Sequence, residues 1–291
     1  FDCVFSPGSI PVAYLKTSLP KVMYMDATFD CMLDYYEPSS DLSSDIIRQG
    51  HELEKQALDS CALAIFSSDW AAQSAINYYG TSPSKVKVVP FGANFDVVNS
   101  EPQVKDIINI RDKHTLKILF NGVDWLRKGG DVVLSTVDEL IKRGLQVELH
   151  VAGLHSIPIS NIPHFVINHG YLKKGIPEEK EALENLYNTC HFLFLPSRAE
   201  AFGCVFCEAS LFGMPSISRK TGGVPTSIIN GKNGFALDQS AGVNDYADLI
   251  CDLFLDKDKY TALAESSYEE YKNRLNWKTA GESLTQLMEQ L

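Results

Sequence analysis

The chain has no surplus of positive charge: 26 Lys and Arg are outnumbered by 37 Asp and Glu, for a formal net charge of −11. That balance disfavours a nucleic-acid partner, because backbone contacts need clustered bases in excess. Any phosphate the protein binds has to meet a local basic spot. Apolar runs are short; none approaches the roughly 18 residues of a spanning helix, and no signal peptide opens the sequence. A soluble, cytoplasmic protein without a transmembrane segment is expected, with peripheral membrane contact left open. Cysteine is scarce and odd in number, seven, without the spacing of a disulfide framework, which reads as free thiols in a reducing compartment. Cys204-Val-Phe-Cys207 lacks the second pair that a zinc ribbon needs, so packing is the reading for both. Internal repeats and low-complexity runs are also missing, which excludes solenoids and tails.

What is present is ordinary globular composition over 291 residues, 45% hydrophobic and 22% charged, enough for two domains. The first unit, residues 1–93, carries short strand patterns at Phe1 to Phe5, Lys21 to Met25, Leu63 to Phe66 and Val86 to Val89. Helical periodicity lies between them at Asp45 to Leu58 and Asp69 to Tyr79. Phe1 to Phe5 reads like the middle of a strand, and the unit holds fewer strands than a complete doubly wound domain; the expectation is a first domain whose beginning is missing. Asp26, Asp30 and Asp34 recur every four residues. On one helix face they suggest either a cation or a solvated surface, and without His or Cys nearby the solvated surface is favoured. Asp26 differs from the other two by directly following a strand, where it either faces a cleft or caps a helix.

Pro90 to Asn94 reads as a hinge, and the polar stretch Asn99 to His114 leads into a second unit, residues 94–291. Strand and helix then alternate: Leu116 to Phe120, Asp131 to Arg143, Val147 to Ala152, Phe165 to His169, Pro177 to Asn188, Cys190 to Pro196, a helix ending at Phe212, and Ser216 to Ser218. From about Val243 the chain is helical. Such alternation implies a parallel sheet covered by helices on both faces, an α/β fold.

The chemistry concentrates where the strand ending at Pro196 turns into the next helix: Glu200-Ala-Phe-Gly-Cys-Val-Phe-Cys-Glu208. Gly203 permits a tight turn, and in open α/β sheets ligands sit at such turns. Glu208 falls on the apolar side of the helix beside Leu211 and Phe212, so its carboxylate needs a partner, either a ligand or a buried Arg or Lys. Two more loops leave strands on the same edge. Asn121-Gly-Val-Asp-Trp-Leu-Arg-Lys-Gly-Gly130 presents Arg127 and Lys128 just before a helix expected to be capped by Asp131. Thr221-Gly-Gly-Val-Pro225 is a Gly-rich turn whose amides can approach an anion. Carboxylates for hydroxyls, with bases and amides for phosphates, suit a nucleotide-diphosphate sugar.

With these motifs the chain resembles the retaining glycosyltransferases of family 4. The match rests on Glu200-x7-Glu208 within Pro-Ser-Arg-Ala-Glu-Ala-Phe-Gly, on Arg127-Lys128-Gly129, and on Gly222-Gly-Val-Pro225 with Asn230-Gly-Lys-Asn-Gly234. The resemblance implies the GT-B fold, two Rossmann-like domains facing a cleft, here with residues 1–93 as an incomplete acceptor-side domain and 94–291 as the donor domain. It implies that Glu208 grips the donor ribose and Glu200 contacts the donor sugar. Arg127, Lys128, Gly122 and the amides near Gly203, Cys204 and Val205 would hold the diphosphate, and Asp26 would stand near the acceptor-domain His of other members.

It further implies transfer with retention of configuration, no metal and no cofactor beyond the nucleotide-diphosphate sugar as co-substrate. The acceptor is open: a glycan, a lipid-linked sugar or a small molecule. Trp277 to Leu291 resembles the segment that crosses back onto the first domain. Val123 and Thr226 stand where many members carry Arg and Glu. Two alternatives remain beside a transferase: a nucleotide-sugar epimerase of the same fold, or a binding fragment that holds donor without turnover.

Overall fold

A computed structural model describes residues 2–36, 38–96 and 99–291; Phe1 of the expected first strand lies outside them. In chain order, β1 (Val4–Ser6), β2 (Lys21–Met25), α1 (Phe29–Met32), α2 (Ser44–Ser60), β3 (Leu63–Phe66), α3 (Asp69–Asn77) and β4 (Val86–Val88) form a parallel sheet with the order β1-β2-β3-β4. β3 is a continuous apolar run, and so is β2 after Lys21, because both faces are covered. Ala57, Leu58, Ala71 and Ala75 of α2 and α3 close one face against Met23 and Phe66.

The second half runs α4 (Glu101–Ile110), β5 (Thr115–Asn121), α5 (Gly130–Lys142), β6 (Gln146–Ala152), β7 (Val166–Asn168), α6 (Pro177–Thr189), β8 (Phe192–Leu195), α7 (Cys204–Leu211), β9 (Ser216–Arg219), α8 (Val224–Ser227), β10 (Gly234–Leu237), α9 (Val243–Leu255), α10 (Lys257–Asn273) and α11 (Trp277–Met288). Its six strands are parallel in the order β10-β9-β8-β5-β6-β7. The chain winds outward from β5 in one direction and from β8 in the other. The loops after these two neighbours therefore diverge and leave a crevice at their carboxyl ends. That crevice is where the basic loop and the Glu200 turn begin.

Several expectations change on contact with the structure. The polar connection 99–114 contains α4, started by a capping box in which Gln103 reaches back to Ser100; its apolar positions Val104 and Ile108 are buried against the core. β10 extends the sheet, although Gly234 to Leu237 carries little strand signal. The three aspartates do not share a helix face: α1 spans only Phe29–Met32, Asp26 precedes it and Asp34 sits at φ 56°. Asp131 does not cap α5 either. Gly129 takes the capping position at φ 77°, where a Cβ would lie 2.4 Å from the Pro196 carbonyl oxygen. Asp131 instead pairs with Arg198 at 2.7 Å. Asp256 caps α10, accepting from the Lys259 amide at 3.0 Å.

Two features join the halves. The linker residue Phe91 packs on Phe202 and Trp277, and α11 lays Ala280, Leu284 and Leu287 on the face of the first sheet formed by Val22, Tyr24 and Ile65. Behind the second sheet, Arg111 is 3% exposed. Its guanidinium donates to the carbonyls of Tyr187, Asn188, Phe212 and Gly213 and to the Tyr260 hydroxyl, at 2.8 to 3.2 Å. These carbonyls end α6 and α7, so one cation satisfies two helix C-termini and fixes the helices side by side.

Candidate active site

β8 brings the chain to the crevice, and Gly203 turns it into α7 at φ 87°. A Cβ there would fall 2.5 Å from the Phe206 ring, so the position admits only glycine without distortion. No side chain caps α7, and its first residues, Cys204 and Val205, line the crevice beside Gly203. Gly203→Ala is expected to lower stability by about 1–3 kcal/mol through backbone strain and the Phe206 contact. Urea denaturation checks this, and a loss below about 0.5 kcal/mol would show that the turn tolerates a side chain.

The crevice is a cavity of about 500 Å³. Gly122, Arg127, Lys128, Glu200, Gly203, Cys204, Val205 and Glu208 all line it, so eight of the nine site residues expected from the sequence meet in one place. Both carboxylates are deeply placed, Glu200 at 7% and Glu208 at 4% exposure, and both are paired. Glu200 Oε2 accepts from Lys128 Nζ, with Ser197 Oγ at 3.5 Å. Glu208 Oε1 accepts from Lys174 Nζ at 2.5 Å and Oε2 from the Tyr187 hydroxyl at 3.0 Å. Asn121 in turn donates to the Tyr187 oxygen at 2.9 Å. Burial pushes the Glu208 carboxyl above the usual carboxylate range, and Lys174 is the main opposing influence. Of the alternatives raised for Glu208, a buried cation or a ligand, the structure shows a cation, Lys174, which itself lines the cavity.

Arg127 reaches the same space from the loop after β5. Its guanidinium donates to the Ala199 carbonyl at 3.2 Å and lies 5.5 Å from the centre of the Tyr36 ring. Cys204 is pushed up to about 12 by burial and by the charges of Glu208, Glu200 and Asp26, which fits an inert thiol in an acid-lined wall.

Asp26 is the one candidate outside the cavity wall. It directly follows β2 and is exposed, though surrounding protein displaces part of its water. Loss of water, then the facing charge of Glu200, moves its carboxyl upward, while its own amide and that of Ala27 oppose the shift. Asp26 follows a strand of the first sheet and Glu200 a strand of the second, near enough for the Glu200 charge to reach Asp26 across the gap between the sheets. Two tyrosines bridge that gap: the Glu200 amide donates to Tyr35 Oη at 2.9 Å and the Ala201 amide to Tyr36 Oη at 2.6 Å. Thr226 meets Asp69 at 3.0 Å on the same seam.

Sequence reasoning did not find Lys174, Tyr187, Tyr35 or Tyr36. Lys173-Lys174 had a usable signal, a dibasic pair just past the strand end at β7, on the sheet edge that already held the other loops. Tyr187 had none, since it reads as one more apolar position of α6.

The chain matches the family described as Glycosyl transferases group 1 over residues 104–270, more than half its length. It is 28% identical over 254 residues to D-inositol 3-phosphate glycosyltransferase of Corynebacterium jeikeium, an alignment covering 82% of this chain and 59% of that protein. The chain thus spans less than two thirds of that relative's length. Among solved structures it superposes on sucrose-phosphate synthase of Thermosynechococcus elongatus with a TM-score of 0.70 at 18% identity, over 94% of this chain and 68% of the other. Anabaena HepE, solved in complex with UDP, gives 0.68 at 19% identity, over 94% and 73%. At such identities the likeness concerns the fold, which is the GT-B arrangement of parallel α/β sheets. The match to the family runs through β5, the basic loop, the Glu200 turn and α7 together, and the chain belongs to the group 1 glycosyl transferases.

Proposed function

We propose that this protein moves a sugar from a nucleotide-diphosphate sugar to an acceptor, with retention of anomeric configuration. Residues 94–291 would form the donor side and residues 1–93 the acceptor side. The observation that carries the proposal is the composition of the crevice: two buried carboxylates, four cations and the uncapped start of α7 line one cavity. Without donor, acids and bases neutralise one another, Lys128 with Glu200 and Lys174 with Glu208. A diphosphate would take over the Lys128 ammonium and sugar hydroxyls the Glu200 carboxylate, while ribose hydroxyls would join Lys174 on Glu208, so both acids stay satisfied when water leaves. HepE, which shares the fold, was solved with UDP, and the same class of donor suits this cavity.

In this reading Glu208, held by Tyr187, accepts from the ribose hydroxyls, and Glu200 accepts from hydroxyls of the transferred sugar. As the bond to the anomeric carbon breaks, negative charge builds on the diphosphate. Lys128, Arg127 and the amides of Cys204 and Val205 would stabilise it without rearranging, which makes a metal or further cofactor unnecessary to the proposed chemistry. Asp26, across the gap from Glu200, would meet the acceptor. A cytoplasmic location belongs to the same proposal, motivated by seven cysteines that are all free.

Glu208→Gln tests the donor reading directly. The amide keeps the shape but presents an N–H₂ where a ribose hydroxyl needs an acceptor. UDP, GDP and ADP are titrated calorimetrically, and the tightest is expected to lose about tenfold or more in affinity. Unchanged affinity, with unfolding midpoint preserved, would remove Glu208 from the donor site.

A further inference from the structure

Lys174 belongs to none of the motifs singled out in the sequence, yet it lines the donor cavity and reaches from Glu208 to the linker between the two sheets. It sits in the loop after β7, with its side chain one third exposed. Besides Glu208 at 2.5 Å, its ammonium donates to the Asn94 main-chain carbonyl at 3.1 Å and lies 4.4 Å from the centre of the Phe95 ring. Asn94 is itself fixed from the other side, its side-chain oxygen accepting from Trp277 Nε1 at 2.9 Å. One cation therefore connects the innermost acid of the donor cavity to the linker between the two sheets and, through it, to the first residue of α11.

We propose that Lys174 is the positioning residue of the donor site, holding the Glu208 carboxylate ionised and aimed for the donor while tying it to the linker at Asn94 and Phe95. This rests on the donor reading of Glu208. The physical argument is one of substitution. Glu208 is 4% exposed and would revert to a neutral acid if nothing replaced its lost water. Tyr187 supplies a neutral hydrogen bond on one oxygen, and only Lys174 supplies charge on the other.

The Asn94 main chain adds a smaller influence in the same direction, and the other ionisable groups around this carboxylate do not help. Cys204 and Cys207 on the same helix are uncharged thiols, both pushed upward in part by Glu208 itself. Lys128, on the opposite wall, is engaged with Glu200. Burial raises the Glu208 pKa and Lys174 is the largest influence lowering it, so removing Lys174 moves the pKa further up. The ionised form, which accepts from two hydroxyls, is then lost as pH falls through that higher value.

The experiment is a calorimetric titration with UDP, GDP and ADP at pH 5.5 to 8.5, on the unsubstituted chain, Lys174→Met, Lys174→Arg and Glu208→Gln, with thermal unfolding of each. Lys174→Met keeps the apolar stem on Phe95 and removes the charge. It is expected to weaken the tightest nucleotide about tenfold at neutral pH and to steepen the loss toward acid. Lys174→Arg restores both affinity and profile, because a guanidinium reaches the same acceptors. Glu208→Gln is weak but flat with pH, since no carboxyl remains to titrate. If Glu208→Gln weakens binding while Lys174→Met keeps the unsubstituted affinity and pH profile, the role given to Lys174 is wrong and the donor reading stands. If Glu208→Gln binds as the unsubstituted chain does, or no nucleotide binds at all, the donor reading falls and takes this inference with it.

Discussion

Lys128→Met is expected to slow sugar transfer by about a hundred- to a thousandfold, the usual loss when one fixed group facing a developing anion is removed. Lys128 is 9% exposed, and its stem passes so close to the main chain that a Cβ on Gly122 would touch it at 3.0 Å. The ammonium therefore has one place to be, in the cavity against Glu200. Removing it has two separable effects. On the proposed mechanism the leaving diphosphate would lose a fixed cation, and a buried carboxylate loses its partner, at about 3–5 kcal/mol in stability for an uncompensated charge.

The double variant Lys128→Met/Glu200→Gln, read against Glu200→Gln alone because Glu200 is itself placed on the donor sugar, distinguishes them, since it leaves no charge to compensate. Urea unfolding is expected to show most of the stability recovered in the double variant, while release of nucleoside diphosphate from the best UDP- or GDP-sugar stays slow. Should the rate return along with the stability, Lys128 would be a structural partner of Glu200 and not a group that meets the donor.

The second large effect is expected far from the cavity. Arg111→Met strips the hydrogen bonds from four main-chain carbonyls at the ends of α6 and α7 and from the Tyr260 hydroxyl. All lie where water does not reach easily, since Arg111 is 3% exposed. Leaving such acceptors bare costs about 1–3 kcal/mol apiece, partly relieved by relaxation, so a total of about 3–5 kcal/mol is the expectation.

The functional consequence follows from what the two helices carry. Tyr187 belongs to α6 and Glu208 to α7, and their 3.0 Å hydrogen bond requires the helices in register. Nucleotide affinity is expected to fall with stability, although Arg111 touches no part of the cavity. Lys in place of Arg, with three donors and no planar fork, should fall between. A loss of less than about 1 kcal/mol on urea denaturation would mean the helix ends find other partners, and the clamp would be incidental.

Most of the cavity was legible because it sits where a rule of topology puts it. Gly122, Arg127, Lys128, Glu200 and Glu208 lie just past strands whose apolar runs are plain in the sequence, and strand ends of a parallel sheet share an edge. Where side-chain contact decided the outcome, the sequence was silent or misleading. Asp131 had every mark of a helix cap, yet Arg198, 67 residues away, holds it. α4 was hidden because only Val104 and Ile108 of its ten residues are buried, too few for a clear period. Asp30 and Asp34 looked periodic, but the chain leaves the helix after Met32.

The sequence by itself determined the alternation of strands and helices, the two-sheet α/β fold and which acids and bases reach one edge, since these follow from local periodicity and from turns that only Gly allows. Only the tertiary structure decided the pairing: Lys128 with Glu200, Lys174 with Glu208, Tyr35 and Tyr36 with the amides of the Glu200 turn. Each of these bonds joins residues at least 34 positions apart, and its partner is selected by which carboxylate or amide loses water beside which donor, a condition fixed when the sheets pack and encoded in no single stretch of chain.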